Sequence, residues 1–125
     1  MTLFEQYVDV SEFVQTVLNP IAPVFMEGEV IEVLPPYYVI KAYGVGAEYM
    51  NQTREDTRGY SVYAHGKNRG KTEKIVSDAL DLLMQKRTSS GLSIDNAVYA
   101  GFINRLEDSL YEGIVTFSVI SHKIK

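Results

Sequence analysis

Residues 59–87 read GYSVYAHGKNRGKTEKIVSDALDLLMQKR, and a change of rhythm inside this stretch decides the fold. In its first part Tyr60, Val62 and Ala64 alternate with Ser61, Tyr63 and His65. That period of two sends alternate side chains to opposite faces of a strand. From Thr72 to Arg87 the apolar residues fall instead at Ile75, Val76, Ala79, Leu80, Leu83 and Met84, the spacing of a helix buried on one side. Lys86 and Arg87 suit the negative end of that helix, and Ser89-Ser90-Gly91 releases the chain. A basic turn bounded by Gly66 and Gly70 joins the two elements.

Upstream, Thr2 and Glu5 have capping-box spacing. Leu3, Tyr7, Val10, Val14, Val17 and Leu18 then recur with helical period, until Asn19-Pro20 stops them. A first helix is expected over residues 3–18. VFM and VIEVL flank Glu27-Gly28, which reads as a tight hairpin or an extended excursion. Pro35-Pro36 breaks the pattern, and YYVIKAYGVGAEY from Tyr37 has the β-branched and aromatic content of a strand. Gly44 and Gly46 predict a bulge or bend within it. Residues 50–59, MNQTREDTRG, read as a polar loop with no apolar anchor after Met50. Downstream, Ala97 to Ile103 reads as a third strand and Tyr111 to Ser121 as a fourth, with the charged stretch Asn104 to Ser109 as their connection.

Helix, strands, helix, strands is the order of an α+β domain: a mostly antiparallel or mixed sheet packed by two main helices. The 125 residues suit a single domain, 1–125, with a core of its own. No repeat, low-complexity tract or linker composition interrupts it.

Composition removes several classes of function. The absence of cysteine excludes a disulfide framework, a thiolate zinc site and a cysteine nucleophile. Two histidines, His65 and His122, leave little for a metal site, although both end strands. A net charge of −4 argues against a protein that coats nucleic acid. The opening MTLFEQYVDVSEF has acids and no bases, and the longest apolar run, IAPVFM, is far below the roughly 20 residues of a membrane span. No signal peptide and no membrane are expected.

HGKNRGKT, residues 65–72, imitates a phosphate-binding loop between a strand and a helix. Gly70, Lys71 and Thr72 are in place, but His65 stands where the first glycine must be. The carboxylate pairs Glu55-Asp56 and Glu107-Asp108 have nothing apolar beside them to raise a pKa for acid catalysis. There is no G-x-S-x-G elbow and no H-E-x-x-H motif. The residues themselves suggest neither an enzyme nor a cofactor or metal site.

Charge and aromatics point to surfaces instead. Residues 1–35 hold Glu5, Asp9, Glu12, Glu27, Glu29 and Glu32 with no Lys or Arg. Four of the twelve bases cluster at Lys67, Arg69, Lys71 and Lys74. Solvated faces would explain both, but an acidic end of one copy meeting a basic loop of another would also do so. Tyr37, Tyr38, Tyr43, Tyr49, Tyr60 and Tyr63 crowd onto two consecutive strands, as either a half-buried sheet face or a protein-binding surface.

The N-terminal amphipathic helix, the proline-led strand PPYYVIKAYG (35–44), a polar loop, the strand GYSVYAHGK (59–67), the helix TEKIVSDALDLLMQKR (72–87) and a final strand YEGIVTFSVIS (111–121) together resemble the phage tail terminator proteins. These are small α+β proteins that cap the tail tube and join it to the head. The resemblance is one of arrangement and spans nearly the whole chain; Ala22 to Leu34 departs from it by its length. It implies a structural virion protein without catalysis or cofactor, a homo-oligomeric ring usually of six copies. The implied partners are the tail-tube protein and a head-completion or connector protein, with no specific nucleic acid. The implied place is the head–tail interface of the virion, after assembly in the host cytoplasm. A ring needs unlike, complementary patches on one subunit. The expected interface residues are Asn51, Arg54, Glu55, Asp56 and Arg58 of the polar loop, with Lys67, Arg69, Lys71 and Lys74. The other reading of the residues is a small cellular α+β domain that binds a ligand or regulates, with Gly66 to Lys71 aimed at a small anion.

Overall fold

The chain runs α1 (Leu3–Leu18), β1 (Val24–Met26), β2 (Tyr37–Val45), β3 (Asp56–Gly66), α2 (Arg69–Gln85), β4 (Thr88–Ser89), β5 (Leu92–Glu107) and β6 (Leu110–Ser121). This is a computed structural model, and it describes residues 3–45, 56–85, 88–89 and 92–121. The described strands form one six-stranded mixed sheet in the order β1-β2-β3-β6-β5-β4, parallel between β1 and β2 and antiparallel elsewhere. Two helices on such a sheet make an α+β fold.

Both helices cover one face. Val10, Val14, Val17 and Leu18 of α1 and Ile75, Val76, Ala79 and Leu83 of α2 are buried. They pack with Tyr38 and Ile40 of β2, Tyr60, Val62 and Ala64 of β3, and Val115, Phe117 and Val119 of β6. The alternation along β3 and the period of α1 therefore read the core correctly. The stripe of α2 is narrower than its spacing suggests: Leu80 is only partly buried and Met84 is 38% exposed. Gly113 lets α2 settle this closely on β6. A Cβ there would lie 2.6 Å from Val76 Cγ2 and 2.9 Å from Ile103 Cδ1, inside contact distance.

Two tyrosines carry polar ends into the core and both are satisfied. The Tyr38 hydroxyl donates to the Ile75 carbonyl at 2.7 Å, and the Tyr60 hydroxyl to Gln6 Oε1 at 2.7 Å. Burial pushes the Tyr60 phenol up to about 12, so it remains a donor at neutral pH. Tyr7 stacks on Tyr60 with centroids 6.2 Å apart and donates to the Ile40 carbonyl at 2.7 Å, fastening α1 to β2. Of the crowded tyrosines, Tyr38 and Tyr60 are thus core residues.

One open choice is decided and two expectations are corrected. Of the two readings of VFM and VIEVL, the extended excursion holds and the hairpin does not. VFM is β1, and it runs parallel to β2 with Val24 beside Tyr38 and Met26 beside Ile40. A turn does close at Gly28, where Glu29 N donates to Met26 O at 3.1 Å, but a parallel neighbour cannot be reached by a tight turn. The chain must travel back outside the sheet through Val30 to Pro36, and the Pro35–Pro36 peptide is cis. Next, the charged stretch after Ile103 is mostly strand. Asn104 pairs with Glu112, Arg105 with Tyr111 and Glu107 with Leu110, leaving Asp108 and Ser109 as the turn. Polar side chains are tolerated there because they stand in water while the backbone ladder continues.

Last, the end of the polar stretch 50–59 is strand and not loop, and residues 50–55 lie outside the described residues. β3 starts at Asp56, which pairs with Ser121, while Arg58 pairs with Val119. The long β6 supplies a partner for residues whose side chains alone would not specify a strand. Register shifts between Ala42 and Val45, as the glycine at 44 predicts. Thr2, Gly46, Tyr49, Lys86, Arg87, Ser90 and Gly91 lie outside the described residues.

Candidate functional site

Asn51, Arg54 and Glu55 of the expected interface lie outside the described residues. Asp56 and Arg58 do not belong to a loop at all. Arg58 lies on the helix-bearing face with Val119 and Tyr60, its guanidinium carbon 5.5 Å from the Tyr60 ring centroid. Its packing is a structural role, and this removes it from a mobile docking loop.

The basic cluster is exposed. Lys67 stands in the turn before α2, and Arg69, Lys71 and Lys74 occupy the first turns of that helix. Arg69 pairs with Glu73 at 3.3 Å and Lys74 with Asp78 at 3.3 Å, each one helical turn on. Lys67, Lys71 and Lys74 border a shallow cavity of about 220 Å³ with Pro36 and Ile75. Lys67 also borders an open cleft of about 520 Å³, shared with Ile31, Val33 and Leu34 on one side and the Glu107–Leu110 turn on the other. Lys67 and the Ile31–Leu34 segment therefore neighbour each other at one end of the same subunit.

The sequence that imitates a phosphate loop folds onto itself. Asn68 caps α2: its Oδ1 accepts from Lys71 N at 2.8 Å, and its carbonyl accepts from Thr72 N at 3.0 Å and Thr72 Oγ1 at 2.7 Å. The amide that a phosphate would seek is thereby engaged. Gly66 has no room for a side chain, since a Cβ there would run into Thr72 Oγ1. Thr72 is completely buried, so its hydroxyl faces no ligand.

The face away from the helices carries Phe25, Val39, Lys41, Tyr63, Ile114 and Thr116, with a row of Tyr37, His65, Glu112 and Asn104 across four strands. Its centre is shielded, with Val39, Ser61 and His65 all buried. His65 Nε2 lies 3.0 Å from Glu112 Oε2, and its ring stacks on Tyr37 at 4.8 Å between centroids. Burial pushes the His65 pKa down; Glu112 opposes that shift and Lys41 adds to it. Sequence reasoning missed the pair because Glu112 lies 47 residues away. His122 lies outside the described residues. Among the described residues no group of three or more His, Asp or Glu side chains converges as a metal site, and no helix is long and apolar enough to cross a membrane.

The sheet margins differ more than its faces. β5 has β4 beside it only at Leu92 and Ser93, so its outer margin from Ile94 to Glu107 has no neighbouring strand among the described residues. Val98, Phe102 and Leu106 on that strand are 47%, 54% and 50% exposed. Nothing in the hydrophobic pattern announced this, because periodicity reports a strand's faces and not its edges. No protein-family model matches this chain, and no curated protein matches it either.

Proposed function

We propose that this protein is a structural virion subunit of the tail terminator kind, which caps the phage tail tube as a ring and helps join tail to head. The observation that carries the reading is the outer margin of β5, which from Ile94 to Glu107 has no neighbouring strand among the described residues and exposes Val98, Phe102 and Leu106. A solitary subunit with such an edge is prone to pair with whatever strand it meets. A subunit built for assembly uses it. The order of helices and strands agrees with the arrangement the resemblance implies, and the engaged Asn68 cap leaves HGKNRGKT with no evident nucleotide role. In this reading the tail-tube protein and a head-completion or connector protein are the outer partners, the exposed Lys67–Lys74 cluster is part of a docking surface, and the protein acts in the virion after assembly in the host cytoplasm.

Negative-stain imaging and light scattering of the purified protein test the reading. Rings with a central opening, of about six copies, are the expected result. A monomer at every concentration would overturn it and favour the small ligand-binding domain, for which the 520 Å³ cleft is the place to look.

A further inference from the structure

We propose that the subunits join head to tail by strand addition, the Val30–Leu34 segment of one copy lying along the outer edge of β5 in the next. The identity of the partner as another copy rests on the ring reading above; the two surfaces are argued from the fold.

The acceptor follows from comparing the two margins of the sheet. The margin at β1 is closed by its own subunit. The Val24 carbonyl accepts from Gln15 Nε2 at 3.3 Å, Met26 N donates to Glu29 Oε1 at 2.7 Å, and the Met26 carbonyl accepts from Glu29 N at 3.1 Å. Among the described residues the margin at β5 has no such cover. Its backbone groups from Ile94 onward can be matched only by water or by another extended chain.

The donor is a strand-forming sequence held outside any sheet. Val30, Ile31, Glu32, Val33 and Leu34 are the residue types strands favour, apart from the glutamate. Among the described residues no backbone hydrogen bond ties them to a strand. Most of the segment stands in water: Val30, Val33 and Leu34 are 78%, 45% and 79% exposed, while Ile31 is partly buried at the cleft of its own subunit. Two apolar side chains so far in water, beside an open apolar edge elsewhere on the same molecule, form an unlike pair.

Area agrees with that pairing. Burying the exposed apolar side chains of both segments with two lengths of backbone gives on the order of 1,000 Å², where specific interfaces begin. Because donor and acceptor are different surfaces, the contact is heterologous. Repeated, it closes into a ring or runs on as a filament.

The natural chain has no cysteine, which makes cross-linking clean. Val33→Cys and Phe102→Cys are prepared as separate proteins, mixed, allowed to assemble and treated with a short bismaleimide that tolerates a slip of a residue or two. Covalent dimers are expected from the mixture and from neither variant alone. Glu32→Pro, which removes one backbone donor at an exposed position, should abolish assembly while leaving the melting temperature within a degree or two. Rings in the mixture without covalent dimers would overturn this contact and leave the ring reading standing. Dimers from Phe102→Cys alone would overturn it too, since β5 would then pair with itself. A wild-type protein that never assembles would remove the ring reading, and this contact with it.

Discussion

His65 and Glu112 face each other across β3 and β6, with Nε2 and Oε2 3.0 Å apart and the imidazole stacked on Tyr37. Burial favours the neutral ring, so the folded protein holds the His65 proton less tightly than the unfolded chain does, despite the attraction of Glu112. Between the unfolded value of about 6.5 and the lower folded value, the unfolded state binds more protons. Stability therefore rises with pH through that window and is lost as pH falls through it. Thermal melts of wild type from neutral pH downward should show a decline that His65→Gln largely removes. An identical slope in the two proteins would mean that other groups govern the acid limb.

Leu83 is fully buried on the face of α2 that meets the sheet. Leu83→Ala should cost about 2–5 kcal/mol in urea unfolding, by lost transfer energy and the cavity left behind. Leu80→Ala should cost less, because that side chain is only partly buried. Equal losses would put the helix face elsewhere.

Gly113 and Val76 form a close approach that predicts coupled mutants. Gly113→Ala should destabilise by about 1–3 kcal/mol through overpacking. Val76→Ala in the same chain should return part of that loss by vacating the space, so a double-mutant cycle should show favourable coupling. Additive losses would show that β6 shifts away from α2 instead.

Arg54 and Arg58 separate into different roles. Arg58 sits in β3 with its guanidinium over the Tyr60 ring, so Arg58→Glu should lower stability by roughly 1–3 kcal/mol through lost polar partners. Arg54 precedes β3 in the sequence, and if the protein is the tail terminator proposed above with Arg54 on its docking surface, Arg54→Glu should leave the melt unchanged while producing tails that fail to join heads or run to uncontrolled length. Particles made with each variant, imaged beside the melts of the purified proteins, check both halves. Normal particles from Arg54→Glu would remove that residue from the docking surface.

Asn68 caps α2 through Lys71 N, and Asn68→Ala should cost about 0.5–2 kcal/mol. Because the cap engages that amide, nucleoside triphosphates should produce no thermal shift in wild type or in Lys71→Ala. A shift in wild type that Lys71→Ala abolishes would restore the phosphate-loop reading of residues 65–72.

What the sequence determined by itself is whatever has a local period. The helical stripe from Val10 to Leu18, the alternation of Tyr60, Val62 and Ala64, and the switch to helix before Ile75 each follow from which side chains must leave water together. That was enough for two helices on a sheet and for most of the core. The tertiary structure decided everything that depends on a partner strand. β1 runs parallel to β2 because the chain returns outside the sheet, which no local rhythm encodes. Asp56 to Gly59 and Asn104 to Glu107 are strand because β6 is long enough to hydrogen-bond them, although their side chains read as loop. The same holds for single residues and short segments. Arg58 looked like a loop charge until its register with Val119 put it beside Tyr60, and Val30 to Leu34 read as half of a hairpin or as an extended excursion until the parallel pairing of β1 with β2 decided for the excursion. Side-chain period is a property of one segment, whereas an edge, a register and a cross-strand pair are properties of two.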